Sequence, residues 1–176
     1  MKIAVIGYSG AGKSTLAAAL GEKYSADVLH IDCVHFLPGW EIRSKEEKEE
    51  LVRAFLDGHS EWVIDGNYTK LSFERRMLEA DMIVFLNFNR FDCFFRAYGR
   101  FIRFRGRSRR SMAEGCNEKF DLEFAKWILW KGRSKNVKAR FADLLRRFPE
   151  KITVIRNQRE LSRFYAENSL VANLSE

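Results

Sequence analysis

The sequence predicts an α/β fold of three layers, with helices on both faces of a five-stranded parallel sheet. Two observations carry that expectation. Five short apolar runs recur along the 176 residues: IAVI from Ile3, VLHI from Val28, WVI from Trp62, MIVFL from Met82 and ITVI from Ile152. They do not alternate apolar with polar in the manner of a half-exposed strand, as expected where both faces are covered. Helical stretches lie between them, and this alternation builds a parallel sheet through right-handed crossovers. The loops that follow the strands then gather at one edge, where ligands bind.

Each element has its own warrant. Lys13 opens a helix to about Tyr24, with Leu16, Ala17 and Leu20 on one face. The second strand ends at Asp32, and the loop DCVHFLPGW follows, with Pro38-Gly39 as a turn signal. Ser44 to Glu47 reads as a capping box, starting a helix that turns Leu51, Val52, Phe55 and Leu56 inward until Gly58 closes it. The third strand ends at Asp65-Gly66, and a short helix around Leu71 to Leu78 precedes the fourth strand. Arg90 to Phe104 is helical and basic, and Arg105 to Glu118 is a polar excursion. One long helix is expected from about Asp121 to Arg147, with Phe124, Trp127, Ile128, Leu144 and Leu145 toward the core. Asn157 to Glu160 caps a closing helix.

Composition narrows the class. Hydrophobic residues are 46% and charged residues 31%, the balance of a globular chain. With 2 prolines and no low-complexity segment or repeat, residues 1–176 read as one domain. No apolar run approaches the ~20 residues that span a bilayer, so no membrane partner is expected. The chain opens on a strand, so no leader is expected either, and Cys33, Cys93 and Cys116 form no metal-ligand pattern. A reduced, cytoplasmic setting fits. The net charge is +7, and seven arginines without an acid fall between Arg96 and Arg110. Such a run binds either polyphosphate or nucleic acid.

Gly7 to Ser14, GYSGAGKS, match G-x-x-x-x-G-K-[ST], the phosphate-binding loop, or P-loop. Glycines let the backbone approach phosphate oxygens, successive N–H groups point into one hollow, and the helix that follows adds its positive end. Gly7, Tyr8, Ser9, Gly10, Ala11, Gly12, Lys13, Ser14 and Thr15 are therefore the expected contacts of ATP. Lys13 is a point charge for the β- and γ-phosphates, and Ser14 a ligand of Mg²⁺. The alternative is a glycine-rich turn that binds nothing. The match sits between strand and helix, which makes the fold a P-loop NTPase.

Further candidates lie on the same edge. Asp65 either orients Mg²⁺ through water or caps the turn before Gly66. Asp32 is a base or orienting group for a hydroxyl acceptor, or a loop cap. His35, beside Phe36, is a weaker candidate. Arg96 and Arg100, four apart, share a helix face and would clamp a transferring phosphoryl group, unless they belong to a solvated basic face. Arg103, Arg105, Arg107, Arg109 and Arg110 continue into a basic lid of about 104–120, which would exclude water. Arg133 and Arg140 would complete the clamp. Trp127 and Trp130, three apart in an apolar stretch, read as core rather than as a base-stacking platform.

These motifs resemble the P-loop nucleoside monophosphate kinases, the adenylate kinase group. GYSGAGKST is similar to that group's phosphate loop and VIDGNY to the segment after its third strand. RFDCFFRAYGR resembles the helix leading into its lid. That likeness implies phosphate-binding roles for Arg96 and Arg100, and NVKARFADL implies one for Arg140. Nearly the whole chain, including LHIDCVHFLPGW, SMAEGC and FAKWILW, resembles proteins labelled DNA topology modulation proteins. Where the adenylate kinase group has phenylalanine, proline and arginine after Asp-Gly, Asn67-Tyr68-Thr69 stand here. A differently shaped acceptor pocket, lined by Trp40, Arg43, Asn67, Tyr68, Arg75 and Arg76, is the expectation.

The reading is an ATP- and Mg²⁺-dependent phosphotransferase acting on a nucleotide or another small molecule, with Lys13, Asp65, Arg96, Arg100 and Arg140 at the reaction. Its alternatives are an ATP-gated nucleic-acid-binding regulator and plain NTP hydrolysis. The first lacks any helix-turn-helix, zinc or RNP signature.

Overall fold

Five parallel strands stand in the order β2-β3-β1-β4-β5. They are β1 Lys2–Gly7, β2 Asp27–His30, β3 Trp62–Asp65, β4 Met82–Leu86 and β5 Ile152–Ile155. The structure, a computed structural model, describes residues 1–109 and 111–171. Arg110, assigned above to the lid, lies outside them. β1 is the axis of the sheet, paired with β3 on one side and β4 on the other. Its Ile3, Ala4 and Val5 have no exposed surface at all. Register places Val5 and His30 opposite Asp65, and Gly7 opposite Leu86, so four strands deliver their last residues to one edge.

Among the described residues eight α-helices cover the faces: α1 Lys13–Tyr24, α2 Ile31–His35, α3 Lys45–Gly58, α4 Phe73–Glu79, α5 Arg90–Arg103, α6 Leu122–Leu129, α7 Lys135–Arg147 and α8 Gln158–Glu167. Side-chain caps fix several starts. The Ser44 hydroxyl accepts from the Glu47 N–H, the Asn89 side chain from Phe91 and Asp92, and the Asn157 side chain from Glu160. The five-stranded parallel α/β architecture is the one expected.

Three local expectations are corrected. The stretch after β2 is a short helix, α2, rather than loop from its first residue. The long helix of 121–147 is two helices. Trp130 leaves helical geometry at φ −134°, Lys131–Arg133 make a 3₁₀ turn, and the Ser134 hydroxyl caps α7 by accepting from Val137. Gly132 and Ser134 were the local signals, a closing glycine followed by a cap. Leu51, Trp127 and Leu145, expected inward, are exposed.

An aromatic cluster ties the sheet to the phosphate loop. Phe85 on β4 stacks on Phe141 of α7 at 4.3 Å, and Tyr8 meets Phe141 edge-on at 5.3 Å. Replacing Phe85 with alanine removes the centre of that cluster. The Phe85→Ala variant should lose about 3–5 kcal/mol of unfolding free energy, read by urea denaturation as a lower midpoint with unchanged slope.

Candidate active site

The phosphate loop takes its shape from its neighbours. A Cβ on Gly10 (φ 83°) would run into the Cys93 carbonyl oxygen of α5, and one on Gly12 (φ 95°) would stand 2.6 Å from the Arg96 guanidinium. The Lys13 ammonium donates to the Tyr8 carbonyl at 3.2 Å, arching back over the loop. Burial lowers its pKa, against the pull of Asp32 and Asp65. Ala11 is fully buried and packs the loop from within. Asn67 was expected on the acceptor side. It does border the cleft, yet its amide holds Gly7 by accepting from the Gly7 N–H at 3.1 Å and donating to the Gly7 carbonyl at 2.5 Å.

Asp65 sits at the end of β3 with 4% of its surface exposed. Its Oδ2 accepts from the Ser14 hydroxyl at 2.9 Å, and its Oδ1 lies 2.6 Å from His30 Nδ1. Burial pushes this carboxyl's pKa up. The His30 hydrogen bond and charge, with Lys13 and Ser14, outweigh that and hold it below the usual range. A hydroxyl oxygen beside a carboxylate is the donor type that Mg²⁺ takes, so the residues fit the ion. Among the described residues no group of three or more His, Cys, Asp or Glu is arranged to hold a metal. An ion bound through substrate phosphates needs none.

A second wall faces this loop across a cleft of about 1380 Å³. Asp32, on α2, accepts from the Tyr68 hydroxyl at 2.7 Å, and burial with the Asp32 charge raises the Tyr68 pKa. The His35 ring lies 4.6 Å from both Phe36 and Tyr68, with Nδ1 buried and unpartnered. Trp40, held at φ 69°, meets Phe36 at 5.1 Å and carries the Lys119 ammonium over its face at 4.5 Å. Asp32, His35, Trp40, Asn67 and Tyr68 all line the cleft. Arg43, Arg75 and Arg76 are not among the residues that do. Arg43 holds the Val34 carbonyl and Glu47, and Arg75 pairs with Asp57 and Glu79 at the surface. Arg76, fully buried, donates to the Leu71, Gly66 and Tyr68 carbonyls at 3.0–3.1 Å and thereby shapes the 66–71 loop from beneath.

Arg96, Arg100 and Arg140 all border the cleft. Arg96 lies over the Phe88 ring at 4.8 Å and donates to Gln158 at 2.5 Å. Arg140 donates to the Asn67 carbonyl at 3.3 Å. Arg100 is engaged by Glu118, which also holds Arg109. Arg133 does not join the clamp: it stacks on Tyr8 at 3.7 Å and donates to the Phe88 and Ile128 carbonyls, bracing the loop. Trp127, far from being core, borders the cleft and donates from its indole to the Ser9 hydroxyl at 3.2 Å.

Three functional residues escaped sequence reading. His30 is one of two polar residues in β2, and only the register with β3 sets it beside Asp65. Glu118 ends the polar excursion, eighteen positions from Arg100, with no local pattern linking them. Trp127 follows the helical spacing of a core residue but stands exposed on α6 at the rim of the cleft.

A carboxylate whose folded pKa lies below its unfolded one adds stability above the unfolded value, and that stability is lost as pH falls through the folded pKa. The stability advantage of the wild type over Asp65→Asn should therefore shrink as pH drops below about 4, read as urea midpoints between pH 5 and 2.

No protein-family model matches the chain, and no curated protein does. Among solved structures, shikimate kinase from Bacteroides thetaiotaomicron is similar over 97% of this chain and 99% of its own, at 16% identity and a TM-score of 0.51. A gluconokinase from Sinorhizobium meliloti covers 95% and 88% of the two chains at 15% identity and 0.47. A sugar kinase from Janibacter covers 97% and 95% at 12% and 0.45. These comparisons do not show the DNA topology modulation family. What is shown is the fold: the chain shares with that shikimate kinase an α/β architecture, here five parallel strands with helices around them.

Proposed function

We propose that the chain is an ATP-dependent phosphotransferase that moves the γ-phosphoryl group to a small-molecule acceptor bound in the same cleft. The single observation that carries this is the cleft itself. Lys13 and the Ser14–Asp65 pair stand on one wall, the Asp32–Tyr68 pair and the rings of His35, Phe36 and Trp40 stand on the other, and Arg96, Arg100 and Arg140 border the same space. A site for hydrolysis alone has no use for the second wall.

In the transfer, an acceptor oxygen forms a bond to the γ-phosphorus as the bond to the β–γ bridging oxygen breaks, and ADP leaves. The P-loop amides and Lys13 hold the β- and γ-phosphates. Ser14 would hold Mg²⁺ and Asp65 would orient its water, and the ion would supply positive charge against the charge that develops on the phosphates. Arg96, Arg100 and Arg140 stabilise the equatorial oxygens in the transition state. If the acceptor is a hydroxyl, its proton passes to Asp32, which lines the cleft; a phosphate acceptor needs no base. The aromatic wall with Lys45, Lys48 and Lys119 nearby favours a planar, anionic acceptor such as a nucleotide. The segment 104–120 acts as the lid that keeps water out. A nucleic-acid-binding role is less well supported, because Arg96, Arg100 and Arg109 border the cleft and Glu118 engages two of them.

Mg-ATP turnover, read by coupled ADP release against nucleoside monophosphates, nucleosides and small hydroxylated metabolites, tests the reading. One acceptor should raise ADP release far above the acceptor-free rate, and Lys13→Ala should cut that rate at least ~100-fold with an unchanged far-UV spectrum. ADP release indifferent to every acceptor, or undiminished in Lys13→Ala, would remove the proposal. Binding to duplex DNA should vanish at physiological salt.

A further inference from the structure

We infer that Glu118 is a built-in substitute for the anion that Arg100 and Arg109 are placed to bind, so that a phosphate-bearing ligand engages those arginines by displacing it. The inference rests on the phosphotransferase reading and adds a residue that sets how tightly ligand is held.

The geometry is that of a bound anion. Glu118 Oε1 accepts from Arg100 Nε at 2.8 Å and stands 2.7 Å from its terminal nitrogen, while Oε2 accepts from Arg109 Nε at 2.7 Å. The carboxylate side chain is 5% exposed and that of Arg109 9% exposed, so neither is a solvated surface group. All three line the cleft that holds Lys13. Arg109 is anchored on its far side by the Ser111 hydroxyl, at 3.0 Å, and Ser111 is itself buried. The Glu118 N–H donates to the Arg107 carbonyl at 3.0 Å, and a bridge pairs Arg105 with Glu118, so the carboxylate is fixed where the two ends of the 105–118 excursion meet.

Carboxylate and phosphoryl oxygens present the same fork of acceptors to a guanidinium. Burial lowers the Arg100 pKa and the neighbouring Arg109 lowers it further, which Glu118 counters. Without Glu118, two buried cations would face each other unpaired. With it, one negative charge serves two positive ones, and the pair keeps a net positive charge that draws a more highly charged anion. When phosphate oxygens arrive, carboxylate and phosphate repel, Glu118 gives up its donors, and the segment it tied to α5 is released to close on the ligand. The apparent affinity is reduced by the work of that exchange.

The test uses the full chain with Mg-ATP and inorganic tripolyphosphate as probes in isothermal titration. Glu118→Gln keeps the shape and removes the competing charge. Dissociation constants for both probes should fall several-fold to tenfold, and without ligand trypsin should cut at Arg105 and Arg107 faster than in the wild type. Glu118→Asp, charged but one methylene short of spanning both arginines, should show the same direction with smaller size, and it serves if the glutamine variant fails to fold. A purely structural Glu118 would weaken binding when replaced. Unchanged or weaker binding in both variants would therefore overturn the inference. Wild type that fails to bind Mg-ATP, or binds it equally well as Lys13→Ala, would instead strike the phosphotransferase reading.

Discussion

A buried carboxylate has to be surrounded by donors, and around Asp65 that requirement organises the reactive edge of the sheet. Left alone at 4% exposure it would be protonated or expelled. His30 from β2 and Ser14 from α1 both reach it, and Lys13 contributes charge. The last residue of β2, the end of β3 and the first turn of α1 are thereby held to one point. The same contacts leave the Ser14 oxygen and a carboxylate oxygen side by side where a hard cation sits well. One arrangement thus satisfies the buried charge and fixes where three elements meet.

Positive charge is managed differently on the opposite flank. Arginines near the cleft fall into two groups by what satisfies them. Arg76 and Arg133 give their donors to backbone carbonyls and work as internal braces, one beneath the 66–71 loop and one behind Tyr8. Arg96, Arg100 and Arg140 keep part of their donor capacity toward the cleft, held in place by a glutamine, a glutamate and a carbonyl. Arginines alike in sequence thus differ in role because of which acceptors the fold sets around them.

That contrast also marks how much was legible in the sequence. Strands, the phosphate loop and the capped helices were readable because each is written in adjacent residues: an unbroken apolar run, a glycine spacing, Ser44 three before Glu47. Asp65 was readable from its place at a strand end, and Asp32 from lying just past one, though it falls in the first turn of α2. Arg133 misled because its helix was taken to continue through Gly132, and Trp127 because helical spacing alone does not tell the inside of a bundle from the rim of a cleft. His30 and Glu118 were out of reach for a different reason. Their partners lie thirty-five and eighteen positions away, and only strand register and the folding back of 105–118 bring them together.

A methyl group at Gly10 would overlap a backbone carbonyl of α5, and Gly12 stands at φ 95°, where any side chain is strained. Their identity is imposed by the scaffold, whether or not phosphate is ever bound. Lys13 is under no such packing constraint; its tie to the loop is one hydrogen bond to a carbonyl. Substitution at Gly10 or Gly12 would therefore disturb the loop's own path, whereas substitution at Lys13 would leave that path in place.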